Sequence, residues 1–106
     1  MPRIAAAHAF PKSETPPAGA TVNSPPRVII DFDAPVEQLF AKLQVLDGAG
    51  NDIAAQPPAI DSEKNEMSAA MPSLKPGDYT VKWSVVSNDG HRTEGSYTFT
   101  VASDPK

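Results

Sequence analysis

The chain has no cysteine among its 106 residues, and that absence removes disulfides, thiolate zinc sites, iron–sulfur clusters and a cysteine nucleophile together. Any metal it holds is bound through histidine, methionine, carboxylate or backbone atoms. No apolar run approaches the ~20 residues that a membrane-spanning helix needs, so direct membrane insertion is not expected. Basic residues are the minority, 9 against 13 acidic, and they form no stripe. Nucleic acid and anionic membrane surfaces are therefore not expected partners. A glycine-rich phosphate loop, a Ser-His-Asp arrangement and a His-Glu-x-x-His motif are also missing, which leaves the familiar catalytic signatures without a foothold.

What is present fits one folded domain. A hydrophobic fraction of 40% with 21% charged residues supports a single core, and the length is too short for two. Proline is abundant: Pro11, Pro16, Pro17, Pro25 and Pro26 forbid a helix over residues 11–26 and restrict any strand there to an edge. Ala5-Ala6-Ala7 has the small-x-small form of a signal-peptidase site. Residues 1–7 then read as the remnant of an export signal, or as residues added for expression, and the natural chain as a single exported domain over 8–103. The alternative is that Met1 is the true start and the alanines are a frayed terminus.

Alternation of apolar and polar residues marks the strands. Val28, Ile30 and Phe32 share one face of a strand over 27–33. Residues 36–46 fit a helical stripe in part, but the turn signal Asp47-Gly48-Ala49-Gly50-Asn51 argues for a hairpin and hence a strand over 41–46. Residues 54–66 read as a solvated connection, with a short strand near 66–70. After the turn Leu74-Lys75-Pro76-Gly77-Asp78, the residues Tyr79, Val81, Trp83 and Val85 point one way; Tyr97, Phe99 and Val101 do the same later. Between them, Ser87 to Gly95 reads as a long polar loop of the kind that carries function. Several short strands between Pro/Gly turns imply an all-β sandwich or barrel.

The chain has two histidines, His8 and His91. In one reading His91 is a solvated loop residue beside a turn in which Asp89 and Gly90 serve backbone geometry alone. In the other, Asp89 and His91 offer an oxygen and an imidazole suited to copper(II), nickel or zinc. If His8 becomes the amino terminus, its amine and imidazole complete a set of three nitrogens and one oxygen, the tetragonal kind that copper(II) prefers. Asp31 and Asp33 alternate on a strand and are expected to face water. Trp83 reads as a core residue whose position before the Asp89 loop would leave its ring near a metal there.

Three stretches carry a family resemblance: the segment from His8 to Gly19, Leu74-Lys-Pro-Gly-Asp-Tyr-Thr-Val-Lys-Trp-Ser-Val-Val-Ser, and Asn88-Asp-Gly-His-Arg-Thr-Glu-Gly. Together they resemble the copper-resistance C proteins, periplasmic copper carriers of bacteria, over His8 to Val101. The resemblance implies a seven-stranded Greek-key barrel or sandwich, cupredoxin-like or immunoglobulin-like. It implies Cu(II) as the bound ion, with the His8 amine and imidazole, Asp89 and His91 as ligands. It also implies a non-enzymatic monomer that passes copper to a membrane importer or another periplasmic copper protein. The family's Met-rich copper(I) segment is not reproduced, since the internal methionines are only Met67 and Met71, read as one core side chain and one exposed one. Phe10 replaces the family's second early histidine. Two other classes stay open: a copper monooxygenase-like enzyme with a terminal-histidine chelate, and a metal-free immunoglobulin-like interaction module.

Overall fold

The computed structural model describes residues 9–54 and 57–102, so His8, residues 1–7 and residue 103 lie outside the described residues. Two four-stranded sheets face each other. The first has the order β1-β3-β6-β5 and the second β2-β8-β7-β4, where the strands are β1 (Pro11–Thr15), β2 (Thr21–Val22), β3 (Arg27–Phe32), β4 (Lys42–Leu46), β5 (Ala59–Asp61), β6 (Glu66–Ala70), β7 (Gly77–Val86) and β8 (Arg92–Val101). The pairings are antiparallel except that β2 runs parallel to β8. The chain crosses between sheets after β1, β2, β3, β4 and β6. The fold is the all-β sandwich expected, as two separate sheets with eight strands among the described residues where the resemblance implies seven.

The core is built from the alternating positions. Val28, Ile30 and Phe32 of β3 and Met67 of β6 are fully buried, and they face Val45 of β4, Val81 and Val85 of β7 and Phe99 of β8. The proline-rich opening segment supplies two sheet-edge strands, in keeping with proline's missing N–H. Tyr79 stacks on Phe99 with ring centroids 5.6 Å apart, and its hydroxyl donates to the Lys75 carbonyl oxygen at 2.6 Å. That bond ties β7 to the turn that launches it.

Several expectations are corrected. The polar run 87–95 is not a long loop: Arg92, Thr93 and Glu94 pair with Val86, Val85 and Ser84, so the connection is only residues 87–91. Arg92 and Glu94 are exposed and paired to each other at 2.9 Å, which is why polarity there misled. The turn at 47–51 forms, with Asp47 Oδ1 accepting from the N–H groups of Ala49 and Asn51 at 2.9 Å, but no hairpin strand follows. Pairing stops after a single bridge between Leu46 and Asp52, whose carboxylate bonds the N–H of Ala54 instead, and β4 pairs with β7. A short strand, β5, occupies part of the stretch read as a solvated connection. Met71 is partly buried against the core rather than exposed.

Candidate metal centre

The β7–β8 connection is closed by backbone bonds: Ser87 N–H donates to the His91 carbonyl oxygen, and Gly90 N–H to that of Ser87, both at 2.9 Å. Gly90 sits at φ 89°, the left-handed region where a β-carbon is strained, so the turn depends on glycine at that position. Ser87 is buried, and its hydroxyl donates to Asp89 Oδ1. The same oxygen accepts from His91 N–H at 3.1 Å, while Oδ2 lies 2.8 Å from His91 Nδ1. Asp89 and His91 are thus brought together as the sequence predicts, on a turn cross-tied by bonds among Ser87, Asp89, Gly90 and His91.

These bonds set the electrostatics. The Ser87 hydroxyl first, and then the His91 ring, hold the Asp89 carboxyl well below the usual carboxylate range, so it remains an anion through neutral pH. The contact at Nδ1 orients the imidazole and leaves Nε2 on the opposite edge of a ring that is 63% exposed. Oδ2 carries one bond where Oδ1 carries two, so Oδ2 keeps more acceptor capacity. The pair can offer a borderline nitrogen and a hard oxygen to a divalent cation. Among the described residues, no group of three or more His, Asp or Glu converges on one point.

Trp83 faces the core, edge-on to Phe32 with centroids 5.4 Å apart and lying over Gly95. Asp31 and Asp33 are not merely solvated: Asp31 Oδ2 accepts from Ser13 Oγ at 2.8 Å, and Asp33 Oδ1 from Phe10 N–H at 2.9 Å. The Asp33 N–H returns a bond of 2.9 Å to the Phe10 carbonyl oxygen. Sequence reasoning missed one contact: Thr93 Oγ1 donates to the carbonyl oxygen of Ala9 at 2.7 Å, and Ala9 is fully buried. A polar residue at an inward-facing position of β8, in phase with Tyr97 and Phe99, was the available signal.

These features define an all-β sandwich that carries a braced carboxylate and imidazole together on one hairpin. The chain matches the CopC domain model over residues 11–102 and belongs to that family. It is 40% identical over 99 residues to Protein YobA of Escherichia coli strain K12, covering 90% of this chain and 79% of that protein. It is 31% identical over 105 residues to Copper resistance protein C of Escherichia coli, covering 92% and 83%. The Copper transport protein CutJ of Bacillus subtilis strain 168 is 28% identical over 104 residues, 95% of this chain but 19% of that longer protein. The crystal structure of CopC from Methylosinus trichosporium OB3b superposes with a TM-score of 0.86 at 33% identity, over 93% of this chain and 98% of that one. PcoC, a methionine-rich copper resistance protein from Escherichia coli, gives 0.78 at 28% identity, over 89% and 98%.

Proposed function

We propose that this protein binds one copper(II) ion in the periplasm and carries it, as a monomer, to a membrane importer or another periplasmic copper protein. Copper is cargo here, and the chain's part is to hold and release it without catalysis. The ligands are the amine and imidazole of His8, the carboxylate of Asp89 and the imidazole of His91, in a unit spanning residues 8–103. Residues 1–7, as leader remnant or residues added for expression, are absent from the proposed copper-binding form, and their removal exposes the amine.

The observation that carries this reading is the bond between Thr93 and Ala9. Ala9 is one peptide link from His8, and Thr93 is two residues from His91. Consecutive α-carbons are ~3.8 Å apart, and the anchoring of a buried Ala9 beside the start of β8 supports a site that draws its remaining ligands from the residue before Ala9. The names of the relatives, copper resistance and copper transport, support carriage over catalysis.

The test compares the 106-residue chain with one that starts at His8. With residues 1–7 attached, the His8 nitrogen is an amide, and the terminal chelate is lost. Copper(II) titration and electron paramagnetic resonance are expected to show one tightly held ion in the shorter chain and much weaker binding in the longer one. His8→Ala and His91→Ala are expected to abolish tight binding. Equal affinities and identical spectra for the two chains reject the terminal-amine site.

A further inference from the structure

We infer that Thr93 is a positioning residue for the metal site: its hydroxyl fixes where the backbone at Ala9 sits against the Asp89–His91 turn, and thereby sets the geometry and affinity of copper(II) binding. This deepens the copper(II) reading above and rests on it.

The two bonded residues are 84 positions apart, and their 2.7 Å bond joins the opening segment directly to the strand that begins one residue after His91. Thr93 stands opposite Val85 in the ladder, facing inward. A valine would fill the same branched volume there, so packing alone does not call for a hydroxyl. Its partner supplies the reason. Ala9 is fully buried, and a carbonyl oxygen cut off from water must be bonded within the protein.

The next residue is held from the other side of the sandwich. Asp33, just beyond β3, bonds both the N–H and the carbonyl oxygen of Phe10, each at 2.9 Å. Over two consecutive residues the segment is therefore tied at three points, and the Thr93 tie is the one that belongs to the hairpin bearing Asp89 and His91. A ligand-bearing segment already held in place loses less conformational freedom when it binds than a loose one does, so the tie raises affinity without touching the ion.

The test uses Thr93→Val and Thr93→Ser in the chain starting at His8, which keeps every core residue from Ala9 to Val101. Copper(II) affinity by competitive titration, the electron paramagnetic resonance spectrum of the loaded protein, and amide hydrogen exchange at Ala9 and Phe10 in the copper-free protein are measured together. Loss of one net hydrogen bond corresponds to a fall in affinity of about three- to ten-fold for the valine variant. Its copper hyperfine pattern is expected to shift and exchange at Ala9 and Phe10 to accelerate, while the serine variant restores all three. An unchanged affinity and spectrum in a folded valine variant overturn the inference. If that variant does not fold, Thr93→Ala removes the same hydroxyl with a smaller side chain, and unchanged affinity there overturns it equally. His8→Ala and His91→Ala separate the two readings. If neither alters copper binding, the site itself is wrong and the positioning role falls with it, whereas histidine dependence without Thr93 dependence removes the positioning role alone.

Discussion

The indole of Trp83 occupies the space that a side chain at residue 95 would need: a β-carbon built on Gly95 stands 2.8 Å from Cζ2 and 3.0 Å from Cε2 of the ring. The two residues face each other across β7 and β8, and Phe32 closes off the ring from another side. With little room to retreat, the ring turns a single methyl into overpacking. Gly95→Ala is expected to lower stability by about 1–3 kcal/mol and to alter the near-ultraviolet circular dichroism of the lone tryptophan. A denaturation midpoint equal to that of the parent would show that the ring slides aside freely.

Ser87 governs the charge on the turn. Its hydroxyl is the largest cause of the lowered Asp89 pKa, ahead of the His91 ring, so Ser87→Ala is expected to raise that pKa toward the ordinary carboxylate value. A depressed folded-state pKa contributes stability above the unfolded value and loses it as pH falls through the folded one. The variant should therefore lose this contribution at a higher pH than the parent during acid titration. Carbon-detected NMR of the Asp89 carboxyl reads the shift, and an unmoved titration curve would mean that His91 alone holds the anion.

Tyr97 presents the opposite case. Its hydroxyl is buried and finds no hydrogen-bond partner among the described residues, and burial first, then the charge of Glu14, push its pKa up. Above the ordinary tyrosine value of ~10 the unfolded chain ionises this phenol while the folded one does not, so stability falls as pH rises beyond that point. Tyr97→Phe is expected to be neutral or stabilising at pH 7 and to flatten that alkaline decline. Of the two tyrosines, absorbance titration should show one ionising late, and that late step should vanish in the variant.

The methionines bear on which copper ion is held. Met67 is fully buried in β6, and Met71 is packed partly against the core, so their thioethers do not form an exposed cluster for a soft ion. Copper(I) is expected to be surrendered to a competing chelator. Met67→Leu, which keeps side-chain volume, should cost less than about 1.5 kcal/mol and leave copper(II) affinity unchanged. Retention of copper(I) that depends on Met67 and Met71 would contradict the copper(II) assignment.

The parts of the molecule legible in the sequence are those whose causes are local. Val28, Ile30 and Phe32, and the alternation from Tyr79 to Val85, announce a buried face by period alone, and the structure buries them. Asp89 and His91 are two residues apart on a turn marked by Gly90, so their meeting needs no tertiary information. The run Arg92-Thr93-Glu94-Gly95 is different, because its inward residues answer to something distant while its outward ones do not. Thr93 serves Ala9, and Gly95 makes room for Trp83, whereas Arg92 and Glu94 merely occupy the outward face of a strand. Read along the chain, such a mixture looks like a loop. Asp31 and Asp33 mislead in the same way, as solvated carboxylates by position but fasteners of the opening segment in space.

The bond from Thr93 to Ala9 has a consequence for the order in which the protein becomes competent. Its partners are 84 residues apart, and they meet only when β1 has docked on β3 and β8 has paired with β7. Closing so long a loop is an entropic barrier that topologies of this type meet slowly. An extended or half-folded chain carries Asp89 and His91 as near neighbours two positions apart without the docked Ala9 segment, so of the proposed ligands it offers those two side by side and no more. Under the proposed ligand set, a newly made chain gains its full hold on copper last, when its opening segment has docked.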